Sequence, residues 1–579
     1  MSKANFMAPN GDNTFDDFSG LYSKGLKQDM PGIVNPASAD AFVNEITRGK
    51  DATSRPIDPA LFEDTALVLG NTDKSGRLNG PQGAFAGHLV GKTSSSDYRT
   101  VAPPKVGSEA YAVELAELYW ASLLRDAPFR DFYTLPSDSR HGRIIAEACK
   151  DLTKWAKQGW YQGPVNSKCE VTPALLFRGG VPANTQRDYP KTGSPGKDPK
   201  SYFAGETVGP YVSQLCLAPT FLGAQVIDQR INVLAPGRDY MTDLGSWSNV
   251  QNGKAVGEPL MDPIPRHIRN GRDLASFTRV DELYQAYLTA FLVMANTWKA
   301  PSNPMLPYNN YKNSMRTDPG MGYVNQKPFG TMGSPEITAF LGTVAREAIN
   351  VVWWHKWAKH LRARPEAGGG LVHLWKTGAP NQPIATAAFN SQFDMIMAAS
   401  LAASSARYSP RTATTDKDQI FLLSQAFPEG SPTHPAYPTG HGAVAGACIT
   451  ALKFFFNGEA FISDITEPMV ASLDGLGLEP YEHDDAKKMT VNGELHKVAH
   501  NISFGHGILA GIHWRTDTDE SLLLGEQVAI SCLDALVNTY SEDVNVMITL
   551  MDGTKKTFTN ETGSHAAPLA KAKSSTAKV

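Results

Sequence analysis

Apolar positions recur with the helical period along much of the chain's middle and C-terminal parts. The stretch SEAYAVELAELYWASLLRD opens on Ser108 as an N-cap with Glu109 in the first turn, and it predicts the first long helix. A second helix is predicted over about 281–295. A third begins near Ser334 as a cap, with Pro335 at the first helical position. Its residues Ile337, Phe340, Leu341, Val344, Ala348, Val351 and Val352 form one apolar stripe. Helical patterning then dominates to about residue 536. Period-two alternation is confined to short runs such as VNVMITL at 544–550, so the fold class is mainly α.

Between these stretches the pattern is broken. Residues 1–105 are rich in Gly, Asp, Asn, Ser and Pro and predict an irregular N-terminal arm. Residues 106–540 form the helical body, and 541–579 a strand-like segment followed by a small, polar, basic tail expected to be disordered. Residues 165–275 alternate short apolar runs with Gly/Pro loops, and 301–332 predict a long functional or interface loop.

Composition narrows the function classes. The chain has 579 residues, 41% hydrophobic and 19% charged, as ordinary globular proteins do. With 54 Lys plus Arg against 58 Asp plus Glu, a net charge of −4 gives no reason to expect nucleic acid or an anionic membrane as partner. Five scattered cysteines without a C-x-x-C pair argue against a disulfide scaffold or a structural zinc site. The N-terminus lacks the apolar core of a signal peptide, and no run of about 18 apolar residues occurs. A soluble protein is expected, cytoplasmic or exported without a recognisable signal.

Three segments between about 350 and 520 carry the candidate chemistry. In the first, Lys356 continues the apolar stripe one turn beyond Val352, where a lysine either snorkels to solvent or meets a buried anion. Arg364 precedes Pro365 and is therefore extended, able to turn toward the same place. Alternatively, Lys356, Lys359, Arg362 and Arg364 are a solvated basic helix end. In the second, HPAYPTGHGAVAGACITALKFFF, Thr439, Gly440 and His441 stand at the N-terminus of a small-residue-rich helix, where free N–H groups favour an anion. His441 adds a group that titrates near neutrality, and His434 is either a pocket wall or a loop residue. In the third, His513 ends a glycine-interrupted helix, and Asp517 with Glu520 makes a capping-box-like start for the next.

The ordered set K-x7-R-P, P-T-G-H and G-x-H-x-x-x-D resembles the vanadate pocket of vanadium haloperoxidases, which share it with a class of acid phosphatases. AELYWASLL, VTPALLFRGGVPANT, LAPGRDYMTD and ESLLLGEQVAI extend the resemblance, in order, to the red-algal bromoperoxidases over roughly 108–540. The resemblance implies a helical fold with two four-helix bundles, homodimers or larger homo-oligomers, and vanadate as cofactor without haem or flavin. It implies oxidation of bromide or iodide by hydrogen peroxide to a hypohalite-like species, with an organic acceptor left open. It assigns His513 to the metal, and Lys356, Arg364, Thr439 and the Gly440 N–H to the oxyanion. His441 becomes the acid/base and His434 the additional pocket histidine. Calcium is a further family metal whose segment the 301–332 loop does not reproduce.

One family position departs. The arginine six residues before the metal-binding histidine is Gly507 here, beside His506. One extra residue between Ile502 and His513 is expected as a π-bulge that places His506 in the arginine's stead. Arg515, two residues past His513, faces elsewhere. The competing readings are a phosphatase or metal-free enzyme on the same fold, and a non-catalytic anion-binding or assembly protein.

Overall fold

Ser108 caps the first long helix through its hydroxyl, which accepts from the Tyr111 N–H. This helix, α1 (Glu109–Leu123), is buried along nearly its whole length. In the computed structural model, which describes residues 20–26, 28–30, 33–34, 78–180, 206–308, 326–378 and 389–560, helices make up the body. After α1 come α2 (Asp131–Thr134), α3 (Arg140–Ala156), α4 (Leu244–Gln251), α5 (Gly271–Arg279), α6 (Gln285–Leu292), α7 (Ser334–Trp354), α8 (Pro365–Lys376), α9 (Ser391–Tyr408), α10 (Gly440–Phe455), α11 (Val491–Phe504) and α12 (Arg515–Val537). The described strands pair only as four antiparallel hairpins. The last of these, Asn545–Thr549 with Lys555–Thr559, is the run predicted from VNVMITL.

Helix α10 is the centre of the core and packs on α12, α7 and α11. Its small residues make this packing close. A Cβ on Gly446 would strike the Leu522 carbonyl of α12, and one on Gly525 would strike the Ala443 carbonyl of α10. The predicted stripe on α7 is buried throughout. Gly333, not Ser334, is its N-cap, which moves the start one residue earlier. The helix predicted over 281–295 begins only at Gln285 and passes at Val293 into a π-helical turn.

Two further π-helical turns carry candidate residues. One, His355–His360, extends α7 and ends at Leu361, whose φ of 51° is left-handed. The other, Gly505–Leu509, extends α11. A π turn absorbs one residue more than an α turn, so the expected bulge before His513 is present. Asp517 is the third residue of α12, whose N-cap is Trp514. The Asp517 carboxylate accepts from the Trp514 N–H, so the cap lies three residues before the position read from sequence.

Of the expected N-terminal arm, residues 20–26 lie against the start of α8. The Tyr22 N–H donates to the Leu361 carbonyl, the Ala363 N–H donates to the Gly20 carbonyl, and Lys24 pairs with Glu366. Most of the arm, residues 309–325 of the predicted loop, and the basic tail after residue 560 lie outside the described residues. Among the described residues no helix is long and apolar enough to cross a membrane.

Candidate active site

The three candidate segments converge on one buried pocket. The first reaches it through the π turn after α7, which directs Lys356 inward. Lys356 is 0% exposed, so the snorkelling and solvated-helix-end alternatives fail for it. Its ammonium donates to the carbonyls of Pro435 (2.6 Å) and Ala436 (2.8 Å). Arg364, the N-cap of α8, has the extended ψ of 155° that Pro365 requires. Its guanidinium donates to the His434 carbonyl (2.9 Å) and the Ile512 carbonyl (2.8 Å). It also meets His513 Nε2 at 2.7 Å and His434 Nδ1 at 3.0 Å. One side chain thus ties the second segment to the third. Trp353 packs a tilted ring on His434, with centroids 4.9 Å apart.

The second segment enters at the start of α10. The Tyr437–Pro438 peptide is cis, and Thr439 is the N-cap. Its hydroxyl caps nothing. Thr439 Oγ1 is buried and has no hydrogen-bond partner. The first-turn N–H groups that follow have no intrahelical acceptors, as at any helix start. His441 is half-buried, and its Nε2 lies 3.0 Å from Asp281 Oδ1.

The third segment supplies His513 and His506. His513 Nδ1 lies 3.0 Å from Asp517 Oδ2. With Asp517 ionised, the proton sits on Nδ1 and Nε2 presents its lone pair, the arrangement in which a carboxylate prepares a histidine to bind a metal. His506 stacks on His441 with centroids 3.8 Å apart and stands 5.5 Å from the His513 ring. The structure therefore brings together Lys356, Arg364, His434, Thr439, Gly440, His441, His506 and His513.

The electrostatics of this group are unbalanced. The bonds of Lys356 and Arg364 go to carbonyl oxygens and histidine nitrogens, and among the described residues none goes to a carboxylate. The nearby acids are engaged elsewhere. Asp517 also accepts from Arg362 at 2.7 Å, while Glu366 accepts from Gln251 and Ser431 as well as pairing with Lys24. Burial, and then Arg364, hold the Lys356 ammonium well below the usual lysine range. Burial lowers the Arg364 guanidinium to about 10. His434, His506 and His513 are pushed well below their usual value, first by burial and then by neighbouring cations and histidines. A protonated His506 in the arginine's stead is accordingly disfavoured in the protein alone, because the ring is desolvated among like charges. Two buried basic groups that bond to no carboxylate among the described residues, an orphaned threonine hydroxyl and a helix N-terminus fit a tetrahedral oxyanion such as vanadate.

Known proteins share this arrangement of sequence and fold. The vanadium-dependent bromoperoxidase of Corallina pilulifera is 32% identical over 571 residues, covering 94% of this chain and 92% of the relative. That of Corallina officinalis is 31% identical over 580 residues, covering 94% and 92%. This chain belongs to the vanadium-dependent bromoperoxidase family. The family described as the VCPO second helical-bundle domain matches residues 405–542. The homohexameric structure of the second vanadate-dependent bromoperoxidase from Ascophyllum nodosum superposes with a TM-score of 0.76 at 25% identity. The match covers 96% of this chain and 88% of that one.

Within this bromoperoxidase frame, sequence reasoning missed several partners. Asp517, read as a helix start and as the last residue of the G-x-H-x-x-x-D motif but given no role beside the metal, orients His513 from four residues after it. Asp281 has no such local signal, lying 160 residues before the His441 it contacts. Arg515 faces away as expected and pairs with Glu117.

Proposed function

We propose that this protein is a vanadium-dependent haloperoxidase, with vanadate as cofactor, which oxidises bromide or iodide with hydrogen peroxide. The observation that carries the reading is the pair of buried cations, Lys356 and Arg364, which hydrogen-bond to no carboxylate among the described residues, together with the orphaned Thr439 hydroxyl. Lys356, Arg364, the Thr439 hydroxyl and the Gly440 N–H would hold the oxyanion's charge, and His513 Nε2, oriented by Asp517, would bond the metal. Bound vanadate supplies a Lewis-acid centre that activates peroxide toward halide. His441, with Nε2 engaged by Asp281, exchanges a proton through Nδ1. His434, held against Trp353 and Arg364, walls the pocket. The homohexameric relative supports assembly of this chain into a homo-oligomer.

The test is reconstitution with orthovanadate and an assay of monochlorodimedone bromination with peroxide and bromide from about pH 4 to pH 8. Vanadate-dependent turnover is expected. Its absence at every pH, with hydrolysis of p-nitrophenyl phosphate retained, would replace the peroxidase with a phosphatase on the same cradle.

A further inference from the structure

Three side chains on one face of α1 reach the turn that carries His513. Tyr111, Glu114 and Glu117 stand three residues apart, the spacing at which helix side chains are neighbours. The Tyr111 ring packs on Trp514 with centroids 4.6 Å apart, and Glu117 accepts from Arg515 Nε at 2.8 Å. Glu114, between them, makes two kinds of bond. Its Oε1 accepts from the Thr516 N–H at 2.8 Å and from the Thr516 hydroxyl, and its Oε2 accepts from Arg362 Nη2 at 3.2 Å. Arg362 Nη1 in turn donates to Asp517 Oδ1 at 2.7 Å, and the other Asp517 oxygen faces His513 Nδ1 at 3.0 Å. Glu114, Arg362, Asp517 and His513 are all buried. One guanidinium is therefore forked between two carboxylates, and only one of these touches the histidine.

We propose that Glu114 is a positioning residue for the metal ligand: it shares Arg362 with Asp517 and anchors the turn at Thr516, and so fixes how His513 meets a metal. With Glu114 charged, Arg362 is divided between two carboxylates, and Asp517 keeps charge to direct at His513. With Glu114 neutral, Arg362 is left to Asp517 alone and the turn loses its charged acceptor, so the hold on His513 weakens. The outer partners of a metal-binding histidine orient it and raise its strength as a ligand. Among the described residues the Glu114 carboxylate bonds to Arg362 and Thr516 and to none of the cradle donors. Its specific effect on a ligand must therefore pass through His513. The inference rests on His513 bonding the metal, and adds the residue that sets that bond from outside the pocket.

Phosphate and vanadate separate the two parts of the site, because both are tetrahedral oxyanions to the cradle and only vanadium accepts a histidine nitrogen. The experiment is calorimetric titration of the ligand-free protein with dilute orthovanadate and with inorganic phosphate at about pH 8, above the value of about 7 to which burial raises the Glu114 carboxyl. The unmodified protein should bind vanadate the more tightly, and His513→Ala should remove that preference. Glu114→Gln keeps the size of the side chain and removes its charge. It should lower the vanadate-to-phosphate affinity ratio by about tenfold, the low end of the loss for outer partners of metal ligands. Glu117→Gln strips a charge from the same helix face and controls for a purely structural role; it should lower stability in urea titration and leave the ratio in place. Arg362→Lys, a point charge that cannot fork across both carboxylates, should also lower the ratio, and it serves as the readout should Glu114→Gln not fold. A ratio unchanged in folded Glu114→Gln or Arg362→Lys, or lowered as much by Glu117→Gln, overturns the proposal and leaves the metal site standing. A vanadate preference absent from the unmodified protein, or kept by His513→Ala, removes the bond from His513 to the metal and the proposal with it.

Discussion

Arg362 and Arg364 leave the same turn two residues apart, and both are almost wholly buried. Arg362 meets Asp517 at 2.7 Å and Glu114 at 3.2 Å, and its guanidinium lies 4.8 Å from the Trp514 ring centroid. Nearby, Arg515 pairs with Glu117. Each of these charges has its counter-charge within the chain. Arg364, with Lys356, has carbonyls and histidines instead. Burial alone therefore does not mark a binding site. What marks it is a buried charge whose complement must come from outside, because an uncompensated ion in a low-dielectric interior is costly.

The largest test of that contrast is Arg515→Ala. It strands Glu117 and should lower unfolding free energy by about 3–5 kcal/mol in denaturant titration. Oxyanion affinity of the folded fraction should change little. Arg364→Met should do the reverse, weakening orthovanadate or phosphate binding by about 2–5 kcal/mol, roughly 30-fold to several thousand-fold, with a smaller loss of stability. Equal stability losses in the two variants would break the comparison.

Oxyanion at about a hundred times its Kd should stabilise the unmodified protein by about 2.7 kcal/mol. The rise in thermal midpoint that reports it should vanish in Arg364→Met.

Acid probes the buried histidines that lie outside the cradle. Burial lowers His355 to about 3 and His373 and His496 to about 4. Their folded values lie below the unfolded one, so the unfolded chain binds more protons and stability falls as pH drops from about 6.5 toward 4. Each ring contributes up to about 1.4 kcal/mol per pH unit in that window. These rings bond to Tyr98, Phe421, Lys453 and Glu206, away from the cradle, so saturating phosphate should leave their share of the slope in place. His355→Phe should make the slope shallower, as urea titrations at a series of pH values would read.

The smallest effect is expected at Thr439. Thr439→Val removes an orphaned buried hydroxyl, so it should leave or raise the stability of the ligand-free protein while weakening oxyanion binding by about 1 kcal/mol. Thr439→Ser should retain the affinity. A valine variant that binds as tightly as the parent would show that the hydroxyl faces elsewhere.

The segments that build the pocket were legible because each has a local cause. The apolar stripe of α7 leads to Lys356, Pro365 forces Arg364 to be extended, and the glycine- and alanine-rich run after Thr439 makes a buried helix start. Even the π turn before His513 follows from one extra residue. Periodicity, proline geometry and helix-end chemistry act over a few residues, so the sequence by itself determined the helical class and the candidate donors. Which charges remain uncompensated was not legible. Glu114, Glu117 and Asp281 lie 248, 398 and 160 residues from Arg362, Arg515 and His441, the groups they meet. Only the tertiary structure decided that Arg362 bonds to carboxylates while Arg364 bonds to carbonyls and histidines, because those outcomes depend on long-range packing that no local pattern encodes.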